Sequence, residues 1–521
     1  MLTRRTFLRT AAVALGGAAL AACGATPTAT PVPPTQTAVK VVQTQIVVQT
    51  QVVEKQVPVT QVVEKVVTAT PVVVPPTPTL ARAKVTGTFT VLQKQDYFPD
   101  MNNWLRTEMV KYFDRQSWPW DIAYEVGYAG GTAFVEKLGA ASAAGTPPDL
   151  LFTDQSATNL WSLKIPDVVD DVVADVTAVF GEPNVRAKND YLFPDKHWYF
   201  VPYFQRIDGG WYLEPVFKAK NIDVQKLRLY PELWEACLSV SDPANQMYGW
   251  GVTITCCGDG GYLYNRVVHG YGAYLQDETG QYCTFNTPQM VEAIGLIADL
   301  YTNKKWAPML PPGVLAWDNN SNNNNWYGSK LAYSQNAGTL LGYPTLNNLT
   351  LNTPYFPSMD KKLFKDVMRF HPPAGGPVNK EFNSFANQWW CLFKGSKNQE
   401  AARLTMKYFL TDLTRMDGLL SKAPAYALPA YEKLWDVSKF VPTNQVVMDA
   451  KPIAVAKTLQ IPGQYPGPAN NLAIAAADNQ CIYADTISSV IKGTPAKEAV
   501  KTAHDRYVKL FKQFNLAGEK A

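Results

Sequence analysis

The sequence predicts a two-lobed α/β protein with a parallel sheet flanked by helices in the first lobe. Three observations carry this reading. From Val85 to Asp154 the pattern runs strand, helix, strand, helix, strand, the alternation that builds a parallel sheet and gathers its polar strand ends on one side. The chain has 521 residues, and the part after about Lys84 exceeds what one hydrophobic core organises, so two cores are expected. Between them lies His197-Trp-Tyr-Phe-Val-Pro-Tyr-Phe-Gln-Arg-Ile-Asp-Gly-Gly210, an aromatic strand that runs into Gln205, Arg206 and Asp208 and then into two glycines. Ligands of open sheets sit beyond the carboxyl ends of strands, so a strand ending this way is a candidate crossing between lobes. Taken alone, the same stretch also reads as an ordinary core strand and its loop.

At the N-terminus, Thr3-Arg-Arg-Thr-Phe-Leu-Arg9 places paired arginines before an apolar run from Ala11 to Leu20. That run is too short to span a bilayer and has the layout of an export signal over residues 1–22. It resembles a twin-arginine signal, and Leu20-Ala-Ala-Cys-Gly24 resembles a lipobox, in which the signal is cut before the cysteine and Cys23 takes a lipid. The expected location is therefore the extracellular face of the cell membrane, with the chain lipid-anchored.

Residues 24–83 are rich in Thr, Pro, Val and Gln, and Gln51-Val-Val-Glu-Lys55 recurs as Gln61-Val-Val-Glu-Lys65. Such a segment buries no core of its own. Its prolines favour extended backbone, so 23–83 reads as a lipidated cysteine followed by a disordered stalk. Dense valines would also suit a self-pairing strand, a reading the flanking prolines oppose.

Aromatic residues make up 12% of the chain and 14 of them are Trp. Most large rings are core, yet a surplus suits a sugar cleft, because pyranose faces are apolar and stack on flat rings. The net charge is only +4, and no basic helix or Lys/Arg run suggests a nucleic-acid partner. Setting Cys23 aside, Cys237, Cys256, Cys257, Cys283, Cys391 and Cys481 remain. An even number in an exported chain permits disulfides without fixing their pairing, and buried free thiols are the other possibility. No CxxC spacing occurs and only four His exist, so no metal site or other cofactor is expected.

Val85-Thr-Gly-Thr-Phe-Thr-Val-Leu92 alternates as a first strand and ends in Gln93-Lys-Gln-Asp-Tyr-Phe-Pro99, a polar and aromatic loop. Helical spacing follows from Trp104 to Phe113. Asp121 to Val126 reads as the second strand, Tyr128-Ala-Gly-Gly-Thr132 leads into an Ala-rich helix ending near Gly145, and Gly145-Thr-Pro-Pro-Asp-Leu-Leu-Phe-Thr-Asp154 turns into a buried third strand.

The turn Ala144-Gly-Thr-Pro-Pro-Asp-Leu150 resembles one found in the extracellular solute-binding proteins of ABC importers, the family that includes maltose-binding protein. Trp198-Tyr-Phe-Val-Pro-Tyr203 is similar to that family's first crossing strand, and further matches follow in the family's order. They are Tyr212 to Phe217 with Asn221-Ile222, Pro231-Glu-Leu-Trp-Glu-Ala236, Tyr248-Gly-Trp-Gly251, Phe393 to Ala402 and Lys492 to Ala499. Each fragment is short, but together they run through nearly all of the chain after the stalk. The chain departs from the pattern in a short segment before Pro231, in the Asn-rich stretch Asp318 to Asn325 and in the pair Cys256-Cys257, which bear on the loops of the second lobe.

The resemblance implies a two-lobed periplasmic-binding-protein-like fold (type II), each lobe a mostly parallel sheet flanked by helices, with a hinge of a few inter-lobe segments about which the lobes close on a ligand. It places the first lobe at 84–200 and 378–425 and the second at 201–377 and 426–521, with crossings at Phe200 to Arg206 and near Phe370 to Pro377. It implies capture of a sugar or oligosaccharide and delivery to membrane permease subunits by a monomeric protein, with a peptide or polyamine as the alternative solute. Positions matched to the family nominate Tyr97, Asp154, Gln155, Arg206, Trp250, Trp317, Asn336, Asn387 and Trp389 as ligand contacts, while Trp326, at helical spacing beside Leu331, is expected in the core. No enzyme is expected. A glycosidase needs two carboxylates paired across the scissile bond, and no motif pairs them; G-x-S-x-G, HExxH and P-loop patterns are absent too.

Overall fold

The first strand, β1 (Thr88–Lys94), is followed by the helix Pro99–Gln116, β2 (Asp121–Gly127), the helix Gly131–Ala143 and β3 (Leu150–Thr153). In this computed structural model the described residues are 87–520 except 119–120, 128–130, 155–156, 381–384, 441–444 and 457–459. The expected signal peptide, Cys23 and stalk, and Gln155, lie outside them. β1 pairs in parallel with both β2 and β3, as the βαβαβ pattern expects. The first helix starts at Pro99, five residues before the apolar spacing becomes visible in the sequence, with the proline in its first turn, where a missing N–H costs nothing. Met101, Leu105, Met109 and Tyr112 form its buried face.

The first sheet has the order β2-β1-β3-β8-β4-β9. Here β4 is Val201–Ile207, β8 is Phe385–Leu392 and β9 is Leu428–Pro429. β8 comes from far along the chain and slots antiparallel between β3 and β4. A second sheet of three strands, in the order β6-β5-β7, consists of β5 (Gly209–Leu213), β6 (Tyr333–Asn336) and β7 (Met368–His371). Both of its pairings are antiparallel, so among the described strands parallel pairing joins only β1, β2 and β3, and the expectation of a mostly parallel sheet in each lobe does not hold for the second. β5 is separated from β6, and β6 from β7, by long excursions, and such connections leave strand direction free.

Sheet membership moves the expected boundaries. β4 pairs within the first sheet and β5 within the second, so the chain passes between sheets at Asp208, just beyond the expected crossing Phe200 to Arg206 and past the expected lobe boundary at 200. Leu428–Pro429 also pairs with β4, which carries the first lobe's C-terminal part beyond 425. The two glycines after the crossing have a steric reason. A Cβ on Gly209 would run into the Phe370 ring, and one on Gly210 into the Tyr333 hydroxyl. The chain returns to the first sheet between His371 and Phe385.

Alternation along the strands divides the first lobe's apolar side chains between two clusters. Leu150, Phe152, Trp390 and Leu392 join the large core, while Leu151, Trp389 and Cys391 join a smaller one with Phe200 and Leu138. In the second lobe the helices Pro288–Thr302, Leu472–Asn479, Ile482–Ile491 and Ala496–Gln513 pack on one another. A disulfide joins Cys256 to Cys481, with the two Cα atoms 5.5 Å apart. Cys237, Cys283 and Cys391 are buried free thiols and Cys257 a partly exposed one.

Candidate functional site

The polar ends of β1, β3 and β4 converge where the chain crosses between sheets. Asp154, just past β3, is fully buried; Lys94 at the end of β1 reaches it at 2.9 Å, and Arg206 on β4 forms a second ion pair with it. Arg206 Nη2 also donates to the Tyr262 hydroxyl at 3.1 Å, and Tyr262 belongs to the helix Gly258–Gly270 of the second lobe. From the same helix Arg266 Nη2 donates to the carbonyl of Asp208 at 2.9 Å. Burial is the largest single influence on Arg206 and would lower its pKa, but Asp154, Tyr262, Tyr426 and Asp208 together outweigh it and hold the guanidinium charged. Burial pushes the Asp208 carboxyl up, against the pull of Arg206 and Arg266. The crossing is thus tied from both lobes by guanidinium groups, the geometry that planar donors satisfy best.

The Gly258–Gly270 helix begins directly after the disulfide. Cys257 caps it, its Sγ accepting from Gly260 N at 3.5 Å. Asp259 in its first turn is buried, accepts from Asn322 Nδ2 at 2.8 Å, and is pushed up to about 7 by burial.

Beside this junction lies a cleft of about 500 Å³. Thr158, Asn159 and Asp190 line it from the first lobe, and Tyr264, Asn265 and Asp478 are among the second-lobe residues opposite. Gln464 and Tyr483 complete that wall, with the disulfide at its edge. Asp190 pairs through Oδ2 with Arg186 Nε, while its buried Oδ1 has no hydrogen-bond partner among the described residues; burial raises its pKa. Asp478 differs. Its side chain is exposed to the cleft, yet the surrounding protein mass desolvates it and pushes its carboxyl up to about 7. Such a wall of amides, carboxylates and ring edges can bind a polar solute without doing chemistry on it.

The nominated residues scatter. Asp154 and Arg206 sit together at the junction. Tyr97 is half-buried and meets the rings of Tyr327 and Tyr343 from the second lobe at 6.0 and 5.3 Å. Trp250 is a core residue: fully buried, stacked on Tyr333 at 5.4 Å and 7°, with its indole N–H donated to Tyr301. Trp317 is buried too, and its backbone carbonyl accepts from Thr253 and Thr255. Trp389 is fully buried and packs on Phe200 at 4.5 Å in the smaller core, and it is also among the residues that line the cleft, with Asp154. The Asn336 side chain is taken up by Asn323 and the N–H of Ala337, and Asn387 exchanges hydrogen bonds with Asn184. These amides are satisfied within their own lobes, as buried polar groups usually are. Trp326 is buried in the core. Missed by sequence reading were Asp190, Asp478, Tyr262 and Arg266; the one available signal was the Tyr262-Leu-Tyr-Asn-Arg266 run immediately after Cys256-Cys257.

Residues 121–412 match the profile of the family described as bacterial extracellular solute-binding protein. The chain belongs to that family. No curated protein matches it in sequence. Among solved structures of similar fold is an ABC transporter solute-binding protein from Thermotoga lettingae bound with α-D-tagatose, at 16% identity and TM-score 0.63, covering 82% of this chain and 100% of that one. Maltose-bound T. maritima MalE3 is similar at 15% identity and TM-score 0.64, with 82% and 100% covered. A Thermus thermophilus maltotriose-binding protein with maltotriose is similar at 15% identity and TM-score 0.58, again with 82% and 100% covered. At these identities the solved structures establish a shared two-lobed fold. Among the described residues no helix is long and apolar enough to cross a membrane.

Proposed function

We propose that this solute-binding protein captures a saccharide in the cleft between its lobes and delivers it to the permease of an ABC importer, acting as a monomer held outside the membrane by a lipid on Cys23. The observation that carries the reading is the cleft of about 500 Å³, walled by residues of both lobes and flanked by the single-residue crossing at Asp208. Closure about that crossing and the return between His371 and Phe385 would bring the walls together on the ligand. The solutes in the three similar structures are a ketohexose, a disaccharide and a trisaccharide, which supports a saccharide here. Tyr97, Asp154 and Arg206 lie at the lobe junction and are retained as ligand-side residues. Binding, with no catalytic residue or cofactor assigned, suffices for this role.

A thermal-shift screen of the full chain against mono- and oligosaccharides, peptides and polyamines tests this. At roughly 100 times its Kd a ligand stabilises the folded state by about 2.7 kcal/mol. A shift with at least one saccharide is expected; shifts only with peptides or polyamines would replace the saccharide reading by the corresponding one. The anchor is checked separately. Cys23→Ser should leave membranes or accumulate as an uncleaved precursor, and a processed, membrane-bound variant of unchanged mass would overturn it.

A further inference from the structure

The carboxylates around the cleft are not equivalent. Asp154 has Lys94 and Arg206, and Asp190 has Arg186. Asp478 has neither a hydrogen bond nor an ion pair to its carboxylate among the described residues, and burial is the sole influence on its titration. Nor does the cleft supply a counter-ion, since no described lysine, arginine or histidine lines it. Asp478 is flanked by Tyr264 and Tyr483, which feel its charge and whose rings lie 4.6 Å apart. Across the cleft, the buried Oδ1 of Asp190 has accepting capacity that no described residue uses.

An uncompensated carboxylate in a closing cleft becomes costlier as water leaves. A neutral hydroxyl offers it a hydrogen bond but leaves the charge in place. An ammonium group offers both a charge-assisted hydrogen bond and the missing charge, and tyrosine rings beside it add cation–π attraction. We propose that Asp478 reads a protonated amine on the ligand, so that the cleft takes an amine-bearing saccharide in preference to its neutral counterpart. This rests on the saccharide reading above. Having one unpaired carboxylate, the cleft calls for a single ammonium group at that end of the ligand.

The test uses matched pairs on the full chain: glucose, galactose and mannose, each against its 2-amino-2-deoxy analogue, with cellobiose against the chitosan disaccharide and spermidine as a non-sugar amine. Calorimetry should show at least one amine bound about tenfold more tightly than its hydroxyl partner, the difference between a charge-assisted and a neutral hydrogen bond. Asp478→Asn should bring that ratio close to one, with melting temperature verifying that the variant is folded. If neutral sugars bind and no amine binds more tightly than its partner, the ammonium assignment fails while the saccharide reading survives. If spermidine alone binds and depends on Asp478, the saccharide reading fails while the ammonium assignment stands. An amine preference unchanged in Asp478→Asn overturns the assignment of that residue, and binding of none of these amines overturns the proposal outright.

Discussion

Asp154 and Asp478 line one cleft and are held in opposite ways. The first is fully buried between a lysine and an arginine, and its partners extend through Arg206 to Tyr262 of the other lobe. The second faces the cleft with no partner for its carboxylate among the described residues. Desolvation acts on both, but only Asp154 receives compensating charge from the protein. The difference separates a carboxylate that fixes the crossing from one whose compensation has to come from outside.

The largest effect should come from breaking the compensated one. Asp154→Ala would leave Lys94 and Arg206 facing each other around an empty position, and removing one member of a buried pair costs roughly 3–5 kcal/mol; denaturant unfolding measures it, and a loss below about 1 kcal/mol would mean that Asp154 is no more a structural tie than Asp478. Next comes the disulfide, which holds the start of the Ile482–Ile491 helix three residues beyond Asp478 and closes a loop with a sequence separation of 225. The paired change Cys256→Ser with Cys481→Ser should cost about 2–5 kcal/mol and weaken ligand binding, because it frees the unpaired carboxylate's wall while leaving Asp154 in place.

A pH series sharpens the contrast between groups whose needs are met inside and those whose needs are not. His371 is buried, donates through Nε2 to the carbonyl of Leu227 and accepts through Nδ1 from the Tyr333 hydroxyl. Burial lowers its pKa to about 4, so the unfolded chain binds a proton there more readily than the folded one. Its contribution is present above the ordinary histidine value and is lost as pH falls from about 6.5 to 4, up to roughly 3 kcal/mol. His371→Gln should flatten the acid limb of the stability profile. Asp478 has the reverse sign. Its folded value is raised from 3.8 to about 7, so its charge weighs against the folded state increasingly as pH rises through that window. Asp478→Asn should therefore melt slightly above the wild type at neutral pH and level with it near pH 4, and a variant melting below the wild type at pH 7 would show that Asp478 has a stabilising partner.

The class of fold was legible because periodicity reports it: strand and helix alternation from Thr88 to Thr153 appears as parallel pairing, and the glycines at 209 and 210 mark where two strands press on the crossing. The antiparallel second sheet was not legible, since pairing direction depends on where long connections lead and leaves no trace in composition. Asp154 and Arg206 could be nominated because strand ends are readable. The tryptophans at 250 and 317 were drawn to the cleft because the sequence does not say which way a ring turns, and both turn into apolar interiors, whereas Trp389 is buried at the cleft's lining. Asp478 was invisible for another reason. What sets it apart is the absence of a charged or hydrogen-bonding partner among the described residues, and a single sequence carries no mark of that.

The Cys256–Cys481 bond has a mechanical consequence as well. Tension applied between the two ends of the folded chain would pass from Cys256 straight to Cys481, bypassing the 225-residue separation between them. Strands β6, β7, β8 and β9 all lie within the bypassed segment, so part of each sheet is shielded from a pull that can still peel β1 to β5 from one end and the Ala496–Gln513 helix from the other. Under oxidising conditions the fully stretched chain would fall short of its reduced length by roughly 750 Å, at about 3.3 Å per hidden residue.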